Sequence, residues 1–322
     1  MSGAHDHLDD IAPLEADGER FLPEMQGTIA LEHLHRYAVA RDLARGKTVL
    51  DIACGEGYGS SMLADIAAHV VGVDISVDAV AHASAKYRKP NLEFRVGDCT
   101  NIPLDRASVD MIVSFETIEH HAEHEKMLAE IKRVLRPDGL MVMSSPDKRE
   151  YTEQPVHENA FHVKELYAHE FEALLRRHFT NCAFLGQRVL YASMISFEGP
   201  SADQRHHYRA GSSDLQSVSG LFRPVYWVAV ASDGTLPPLS TGLLEQFGES
   251  DPAIKQLQYQ CDQFRGRIAG LQEEVAGLHR AIHLILNSRS WKITRPLRAA
   301  GTFLKCFREP RMADDKRDEH QR

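Results

Sequence analysis

The sequence predicts an α/β fold in which a doubly wound, mostly parallel sheet is followed by a C-terminal coiled-coil helix. After Gly46, short runs of β-branched residues alternate with stretches of helical periodicity. Strands and helices that alternate at this pace form right-handed crossovers onto a parallel sheet. Beyond a linker rich in Pro, Gly, Ser and Thr, apolar residues recur at steps of three and four without a break, which is the repeat of a coiled coil.

The elements of the sheet follow from local patterns of apolar residues. An opening helix at Thr28–Leu43 is predicted to bury one face. The first five strands are predicted at Thr48–Ala53, His69–Asp74, Leu92–Val96, Val109–Phe115 and Leu140–Ser145. Helices are predicted between them at Ser60–Ala67, Val77–Tyr87 and Glu123–Leu135. Two later runs, Cys182–Tyr191 and Pro224–Ala231, are predicted to close the sheet at one edge.

The predicted domain organisation has five parts along the chain. They are a mobile acidic N-terminus (1–25), the sheet domain (26–232), a linker (233–251), the coiled coil (252–288) and a basic amphipathic tail (289–322).

Composition and charge exclude several classes of protein. The chain has 322 residues, of which 43% are hydrophobic and 26% charged, ordinary values for a globular protein with a sizeable core. A net charge of −9 argues against nucleic-acid binding by bulk positive charge. No apolar run approaches the roughly 18 residues of a membrane-spanning helix. The N-terminus lacks a signal-peptide layout and the five cysteines form no CxxC pair, so we expect a cytoplasmic protein without a disulfide framework.

The coiled-coil repeat predicts self-association. Residues at one position of the seam are mostly β-branched and those at the other are mainly Leu, and this arrangement favours two parallel strands. We therefore expect a homodimer through residues 254–285. The alternative is an amphipathic helix packed back on the sheet domain. The seam positions are Ile254, Leu257, Cys261, Phe264, Ile268, Leu271, Val275, Leu278, Ile282 and Ile285.

The tail after the coiled coil is cationic and apolar at once. Between Arg289 and Arg311 it carries seven Lys or Arg residues against one Glu, interleaved with aromatic and aliphatic side chains. Such a mixture is typical of a segment that binds a partner or a membrane surface. A solvated basic tail is the alternative.

The most specific local pattern is VLDIACGEGYGS, Val49–Ser60, in which a strand runs into Gly55, Gly57 and Gly59. Glycines permit a tight turn and let the backbone approach a ligand closely. A glycine triplet alone also fits a plain strand-to-helix turn, but acidic residues follow later strands at suitable distances. Asp74 ends the second strand, Asp98 follows the third, and Glu116 and Glu119 follow the fourth. In open α/β sheets the carboxyl ends of the strands are where ligands bind.

These motifs resemble those of class I S-adenosylmethionine-dependent methyltransferases. The glycine spacing is GxGxG rather than the dinucleotide GxGxxG, and VVGVD, GDCTNIPL, FETIEHH and LRPDGLMVMSSP follow in order over about residues 28–195. The resemblance implies a Rossmann-like, seven-stranded sheet and S-adenosylmethionine as methyl donor. Carboxylates suit the positive sulfonium of this cofactor, and neither a metal nor a covalent nucleophile is obligatory. His120 and His124 have a metal-ligand spacing but no third ligand is placed, so we expect no metal.

The resemblance also assigns cofactor contacts residue by residue. Asp51 with Gly55, Glu56 and Gly57 would line the methionine portion, Asp74 would bind the ribose, and Ile75 would cover the adenine. Asp98 and Cys99 would flank the amino edge of the adenine, and Glu116 would complete the pocket. Ala53 stands where many members carry glycine. The implied cofactor-binding set is Asp51, Ala53, Gly55, Glu56, Gly57, Asp74, Ile75, Asp98, Cys99 and Glu116.

For the acceptor side, the resemblance to sugar O-methyltransferases implies a histidine general base. His120 follows the fourth strand, and a neutral imidazole suits proton removal at cytosolic pH. Asp147 is the implied acidic partner, and His121, His162 and Glu165 are expected to contact the substrate. The alternatives are that His120 only shapes the pocket and that His162 and Glu165 are structural.

The acceptor class rests on resemblance alone. The blocks GERFLPE, EHLHRYAVA and ENAFHVKEL resemble methyltransferases associated with bacterial surface-polysaccharide (O-antigen) biosynthesis. This implies a glycan or nucleotide-sugar acceptor at the inner face of the cytoplasmic membrane. It also implies a glycosyltransferase partner or a peripheral membrane contact through residues 289–311. The alternatives are a small-molecule O- or N-methyltransferase of quinone or secondary metabolism and a non-catalytic scaffold; the glycine spacing disfavours an NAD-dependent oxidoreductase.

Overall fold

A computed structural model describes residues 21–23, 25, 27–155, 159–190, 207–210, 215–244 and 252–295. The chain divides into two units, Met1–Pro252 and Ala253–Arg322. Most of the predicted acidic N-terminus, and the basic tail beyond residue 295, lie outside the described residues.

The first unit is built on a seven-stranded sheet with the order β3-β2-β1-β4-β5-β9-β6. Neighbours among β1 to β5 are parallel, whereas β9 runs antiparallel to both β5 and β6. The prediction of a mostly parallel, doubly wound sheet of seven strands is therefore confirmed. The strands are β1 Thr48–Ile52, β2 His69–Asp74, β3 Leu92–Val96, β4 Val109–Ser114, β5 Leu135–Pro146, β6 Asn181–Gln187 and β9 Tyr226–Ser232.

Helices cover both faces of the sheet. One apolar cluster joins the strands to the helices near the middle of the chain, α4 and α5. The other joins them to α1 and α2. Because both faces are covered, the central strands are buried on both sides, which explains why they are continuous apolar runs in the sequence. The helices are α1 Thr28–Ala44, α2 Tyr58–Ala64, α3 Val77–Lys86, α4 His124–Val134 and α5 Ala168–His178.

The structure differs from the predicted elements in the start of one strand, the end of another, one helix and one hairpin. Strand β5 begins at Leu135 rather than Leu140, because the intervening Arg-Pro-Asp-Gly stretch extends the strand although it is largely exposed and not apolar. Strand β6 ends at Gln187 rather than Tyr191. Helix α5 and a hairpin of β7 His207–Ala210 and β8 Leu215–Val218 were not predicted.

Two short helices lie at the carboxyl ends of strands and position the site. A 3₁₀ turn, Ile118–His120, follows β4, and a π-helical turn, Arg149–Glu153, follows β5.

The second unit is helical over its described part. Helix α6 spans Pro252–Asn287, close to the predicted coiled-coil segment, and a short helix α7, Arg289–Ile293, follows it. Ser288 caps α7 by accepting a hydrogen bond from the Trp291 amide. The seam residues from Phe264 to Ile285 are between 50% and 61% exposed in the single chain. Over the described residues, no helix is both long and apolar enough to cross a membrane.

Candidate active site

The glycine turn after β1 has a backbone that larger residues fit poorly. Gly57 has a φ of +93°, and a Cβ there would lie 2.7 Å from the Ala83 Cβ and 2.9 Å from the Phe94 ring. Gly55 and Ala53 both have a φ of 56°. That value lies in the left-handed region that favours glycine, which gives a physical reason for the glycine that many family members carry at the position of Ala53.

Asp51 lies at the base of this turn, in the interior of the protein. Its carboxylate accepts hydrogen bonds from the Tyr37 hydroxyl at 3.1 and 3.2 Å and from the Ser60 hydroxyl at 2.6 Å. Burial raises the pKa of Asp51 to about 7, with a smaller contribution in the same direction from the negative charge of Asp74. A cationic ligand would favour the charged form of this carboxylate.

Asp74 connects the end of β2 to the glycine turn. Its Oδ2 accepts a hydrogen bond from the Gly55 amide at 2.8 Å, and its Oδ1 accepts one from the Ser76 amide at 2.9 Å. The next residue, Ile75, is 71% exposed. An exposed aliphatic side chain beside a buried carboxylate fits the predicted roles of covering an adenine and binding a ribose.

Asp98 and Cys99 follow β3 at the same edge of the sheet. The Asp98 carboxylate accepts hydrogen bonds from the Thr100 amide and hydroxyl at 2.7 and 2.8 Å, and these bonds lower the pKa of Asp98. The Cys99 thiol lies 3.7 Å from His121 Nε2. His121 also contacts the Met127 sulfur at 3.2 Å, accepts a hydrogen bond from the Glu123 amide at 3.2 Å, and lies edge-on to the His124 ring at 5.4 Å.

The Glu56 side chain contacts residues in helix α3 and at its C-terminal end. It is 1% exposed, and it contacts the Tyr87 hydroxyl at 2.8 Å, His82 Nε2 at 3.3 Å and Lys86 Nζ. These contacts fasten the glycine turn to α3, whereas the role implied by resemblance was cofactor binding.

Glu116 belongs to a buried polar group that the sequence analysis did not foresee. Its Oε1 accepts hydrogen bonds from Arg36 Nη1 at 3.0 Å and from the Ser144 hydroxyl at 2.6 Å. The Arg36 guanidinium, whose residue is 2% exposed, stacks over the Tyr226 ring at 4.7 Å. Nearby, burial raises the pKa of Glu32 to about 7. The sequence feature that could have predicted this group is Arg36, a charged residue on the buried face of α1.

His120 and His162 are brought together although 41 positions separate them in the sequence. Their ring centroids are 5.1 Å apart, and Tyr151 stacks on His162 at 5.2 Å. Glu165 Oε1 lies 2.5 Å from His162 Nδ1 and accepts a hydrogen bond from the Thr152 hydroxyl at 2.7 Å. The structure therefore assembles three of the five residues predicted for the acceptor side.

Asp147, the predicted partner of His120, accepts hydrogen bonds from three backbone amides. Oδ1 accepts hydrogen bonds from the Arg149 and Glu150 amides, both at 3.1 Å, and Oδ2 accepts one from the Ala168 amide at 2.9 Å. These bonds cap the π-helical turn and the start of α5, which is a structural role. Any catalytic role for Asp147 stays a prediction.

Comparison with known proteins agrees with this geometry. Residues 50–143 match the methyltransferase domain family. A protein of Mycolicibacterium smegmatis, named a probable S-adenosylmethionine-dependent methyltransferase, is 36% identical over 167 residues, which are 50% of this chain and 63% of that protein. A phthiotriol/phenolphthiotriol dimycocerosates methyltransferase of Mycobacterium tuberculosis is 36% identical over 107 residues, 33% of this chain and 39% of that protein.

A solved structure from Thermotoga maritima, described as an S-adenosylmethionine-dependent methyltransferase, aligns with this chain at 18% identity and a TM-score of 0.46. The alignment covers 63% of this chain and 89% of the Thermotoga chain. The chain spans less than two thirds of the length of the curated relatives named here. The family match lies within the seven-stranded sheet domain, so this part of the chain is similar to the methyltransferase domain family.

Proposed function

We propose that the sheet domain is a class I S-adenosylmethionine-dependent methyltransferase that binds its cofactor at the carboxyl ends of β1, β2 and β3 and transfers the methyl group to a hydroxyl of an acceptor. The observation that carries the proposal is the set of three carboxylates at the carboxyl ends of three adjacent strands. Asp51 lies near the end of β1, Asp74 ends β2 and Asp98 follows β3, and the Gly55 amide ties Asp74 directly to the glycine turn. A side chain at position 57 would collide with Ala83 and Phe94, so only glycine fits at this point of the turn.

The residues of the site fit a cationic cofactor better than a dinucleotide. The bound cofactor supplies an electrophilic methyl on a positive sulfonium, and the buried Asp51 carboxylate becomes fully charged in the field of such a cation. A dinucleotide would instead bring a pyrophosphate to a helix N-terminus, where three carboxylates nearby would repel it.

The chemistry requires little of the protein beyond alignment and removal of a proton. The acceptor oxygen forms a bond to the methyl carbon while the carbon–sulfur bond breaks and its electron pair stays on sulfur. The acceptor hydroxyl also loses its proton, so the products are a methyl ether, S-adenosylhomocysteine and H⁺. Holding the reactants in line supplies most of the rate enhancement in such displacements. The cluster of His120 and His162, just beyond β4, is where we place the acceptor hydroxyl.

For the acceptor we propose a glycan or a nucleotide-sugar. Support comes from the resemblance of several sequence blocks to surface-polysaccharide methyltransferases, and from the polar, imidazole-lined acceptor side, which suits a hydroxylated ligand. The relatives named above do not support this choice of acceptor, since one is named without an acceptor and the other after phthiotriol and phenolphthiotriol dimycocerosates. A small-molecule acceptor is the competing hypothesis.

For the assembly we propose a two-stranded coiled coil of α6 with a second copy of the chain. The seam residues from Phe264 to Ile285 are exposed, and the heptad spacing is that of a parallel pair. A parallel pair would also set Glu274 of one helix beside His279 of the other, since these residues hold flanking positions of successive heptads. For the cationic tail, residues 289–311, we propose a contact with a membrane surface or with a glycosyltransferase. Deleting residues 286–322 should move the protein from the membrane to the soluble fraction, and unchanged partitioning would refute the membrane contact.

Calorimetry with S-adenosylmethionine tests the central proposal. The wild-type protein should bind one equivalent, and Asp74→Asn should bind at least tenfold more weakly, because two backbone amides position that carboxylate. Asp105→Asn is the matched control, since Asp105 is exposed and lies at the opposite edge of the sheet, beside Thr48 and His69 at the amino ends of β1 and β2. Absence of binding to the wild type would leave only the scaffold hypothesis.

The acceptor is tested separately with labelled cofactor and fractionated cell-envelope glycans. Transfer of label to a sugar hydroxyl would support the glycan proposal. Transfer only to small molecules would support the competing hypothesis while leaving methyl transfer intact.

A further inference from the structure

The acceptor side contains three side chains that commonly bind metal ions. Glu119 and His120 come from the 3₁₀ turn after β4, and His162 comes from the segment before α5. The candidate ligand atoms of these three residues all lie within 4.8 Å of one another. They form the two-histidine, one-carboxylate set that binds divalent transition metals with open coordination positions.

Each of the two histidines has a hydrogen-bond partner at Nδ1. The His120 Nδ1 lies 3.2 Å from the Phe161 carbonyl oxygen. Because a carbonyl only accepts, this nitrogen must carry the proton, and the lone pair of the neutral ring is then on Nε2. His162 Nδ1 likewise faces the Glu165 carboxylate at 2.5 Å. Metal-binding histidines almost always donate their second nitrogen to a carbonyl or carboxylate in this way.

The two segments are also held in register by backbone bonds. The Glu119 carbonyl accepts hydrogen bonds from the Val163 amide at 2.9 Å and from the Lys164 amide at 3.0 Å. These bonds place the two histidine-bearing segments side by side, so the ligand set does not depend on flexible side chains alone. A cation with bonds of about 2.1 Å brings its ligand atoms to about 3.0–3.6 Å apart. Closing the present spacing requires movements of about 1 Å, within reach of rotations about side-chain bonds.

We propose that Glu119, His120 and His162 bind one divalent transition-metal cation, with Glu165 and the Phe161 carbonyl orienting the two imidazoles. No metal was predicted here, because the sequence pairs His120 with His124 and places no third ligand. The structure instead brings in His162, which lies far away in the chain. Three protein ligands leave about three positions open on a six-coordinate cation. Two neighbouring oxygens can fill two of those positions, so the site would favour an acceptor with adjacent hydroxyls.

The role of the cation in catalysis rests on the proposed methyl transfer, although its binding does not. An acceptor hydroxyl bound to the cation loses its proton to solvent more readily, because a metal ion lowers the pKa of a bound hydroxyl. The resulting alkoxide oxygen forms the new bond to the methyl carbon, and the carbon–sulfur bond breaks with its electron pair going to sulfur. In this scheme the cation replaces direct proton transfer to His120, the route that the sequence predicted.

Cobalt provides the test, because its visible absorption reports on bound imidazole and carboxylate ligands. The full chain is stripped with a chelator and titrated with CoCl₂, followed by absorbance and by metal content per chain. We expect one Co²⁺ per chain in the wild type and its loss in His162→Gln. Glu165→Gln should weaken binding about 10- to 100-fold, the usual effect of removing an outer partner of a metal ligand. His69→Gln, at a partly exposed histidine on β2, is the matched control and should bind Co²⁺ like the wild type.

Calorimetry with S-adenosylmethionine on the same samples checks folding and separates the two proposals. Failure to bind Co²⁺, or equal binding by His162→Gln, overturns the metal site, and with cofactor binding retained it leaves methyl transfer standing. Stoichiometric Co²⁺ binding that His162→Gln abolishes supports the metal site, even if the wild type binds no S-adenosylmethionine and the proposed function fails.

Discussion

Replacement of Gly59 by alanine tests how the glycine turn positions the cofactor carboxylate. A Cβ at this position would lie 2.0 Å from Tyr37 Cζ and 2.3 and 2.5 Å from the two Cε atoms of the ring. Carbon atoms pack at about 3.5–4.0 Å, so the ring would have to move by about 1.5 Å. Tyr37 cannot move freely, because it is buried against the edges of Tyr58 and Phe115 at centroid distances of 5.2 and 5.0 Å.

The expected loss of stability combines three effects with different signs. Forcing a methyl group into a packed core costs about 1–3 kcal/mol. Displacing the Tyr37 hydroxyl removes its hydrogen bonds to the Asp51 carboxylate, and a bond to a charged group contributes about 1.5–3 kcal/mol. Alanine in a helix is favoured over glycine by about 1 kcal/mol. The net destabilisation should be about 3 kcal/mol, or about 6–12 °C in Tm for a domain of this size.

Thermal unfolding and calorimetry with S-adenosylmethionine measure the two consequences. Gly59→Ala should unfold at lower temperature and bind the cofactor more weakly, since Asp51 loses a partner that positions it. Gly270→Ala is the matched control: it makes the same change in helix α6, where a Cβ would meet nothing within 4 Å, and it should not lower Tm. A Gly59→Ala protein with unchanged Tm and cofactor affinity would refute the reasoning.

Three further predictions concern charge and assembly. Burial raises the pKa of Asp51 to about 7, and a cationic ligand lowers it. Cofactor binding at pH 7 should therefore release about half a proton, and cofactor affinity should fall as the pH drops below 7. Calorimetry in buffers of different ionisation enthalpy measures the proton release, and a binding enthalpy that does not depend on the buffer would contradict it. Glu56→Gln should lower the free energy of unfolding by about 2 kcal/mol in chemical denaturation, whereas Glu93→Gln, in a partly exposed ion pair, should cost less than about 1 kcal/mol; equal losses would count against the burial argument. Leu271→Asp should convert the dimer to a monomer, as measured by light scattering. Ala269→Asp, which lies off the seam, should leave the dimer intact. A dimer that survives Leu271→Asp would disprove the coiled coil.

The fold could be read from the sequence wherever burial on both faces forces continuous apolar runs. Strand β2 was predicted to the residue for this reason, and β1 and β4 to within one residue. Strand β3 was also predicted to the residue, although it alternates apolar and charged residues and is partly exposed. The start of β5 was missed because Arg136–Gly139 interrupts the apolar run within the strand. Helix α5 was not predicted, although its apolar residues Phe171, Leu174 and Leu175 recur at helical spacing.

Within the site, the carboxylates were predictable and their hydrogen-bond partners were not. Asp51 lies near the end of β1, Asp74 ends β2 and Asp98 follows β3, so their placement at one edge of the sheet follows from the topology alone. Arg36 and Tyr37 lie on α1, far from any motif, and reach Glu116 and Asp51 only through tertiary packing. A pattern based on local spacing carries no information about such contacts.

The two halves of the site therefore differ in how closely they are bound to the fold. The cofactor half is made from strand ends and the turn between them, so its geometry cannot change without disturbing the sheet. The acceptor half depends on the segment around His162, which is attached by two amides to the Glu119 carbonyl and by one imidazole to the Phe161 carbonyl. Backbone bonds of this kind tolerate many side chains. Substitutions between residues 159 and 165 should then alter acceptor choice or metal binding while S-adenosylmethionine affinity is retained, and the reverse should hold for substitutions in the glycine turn.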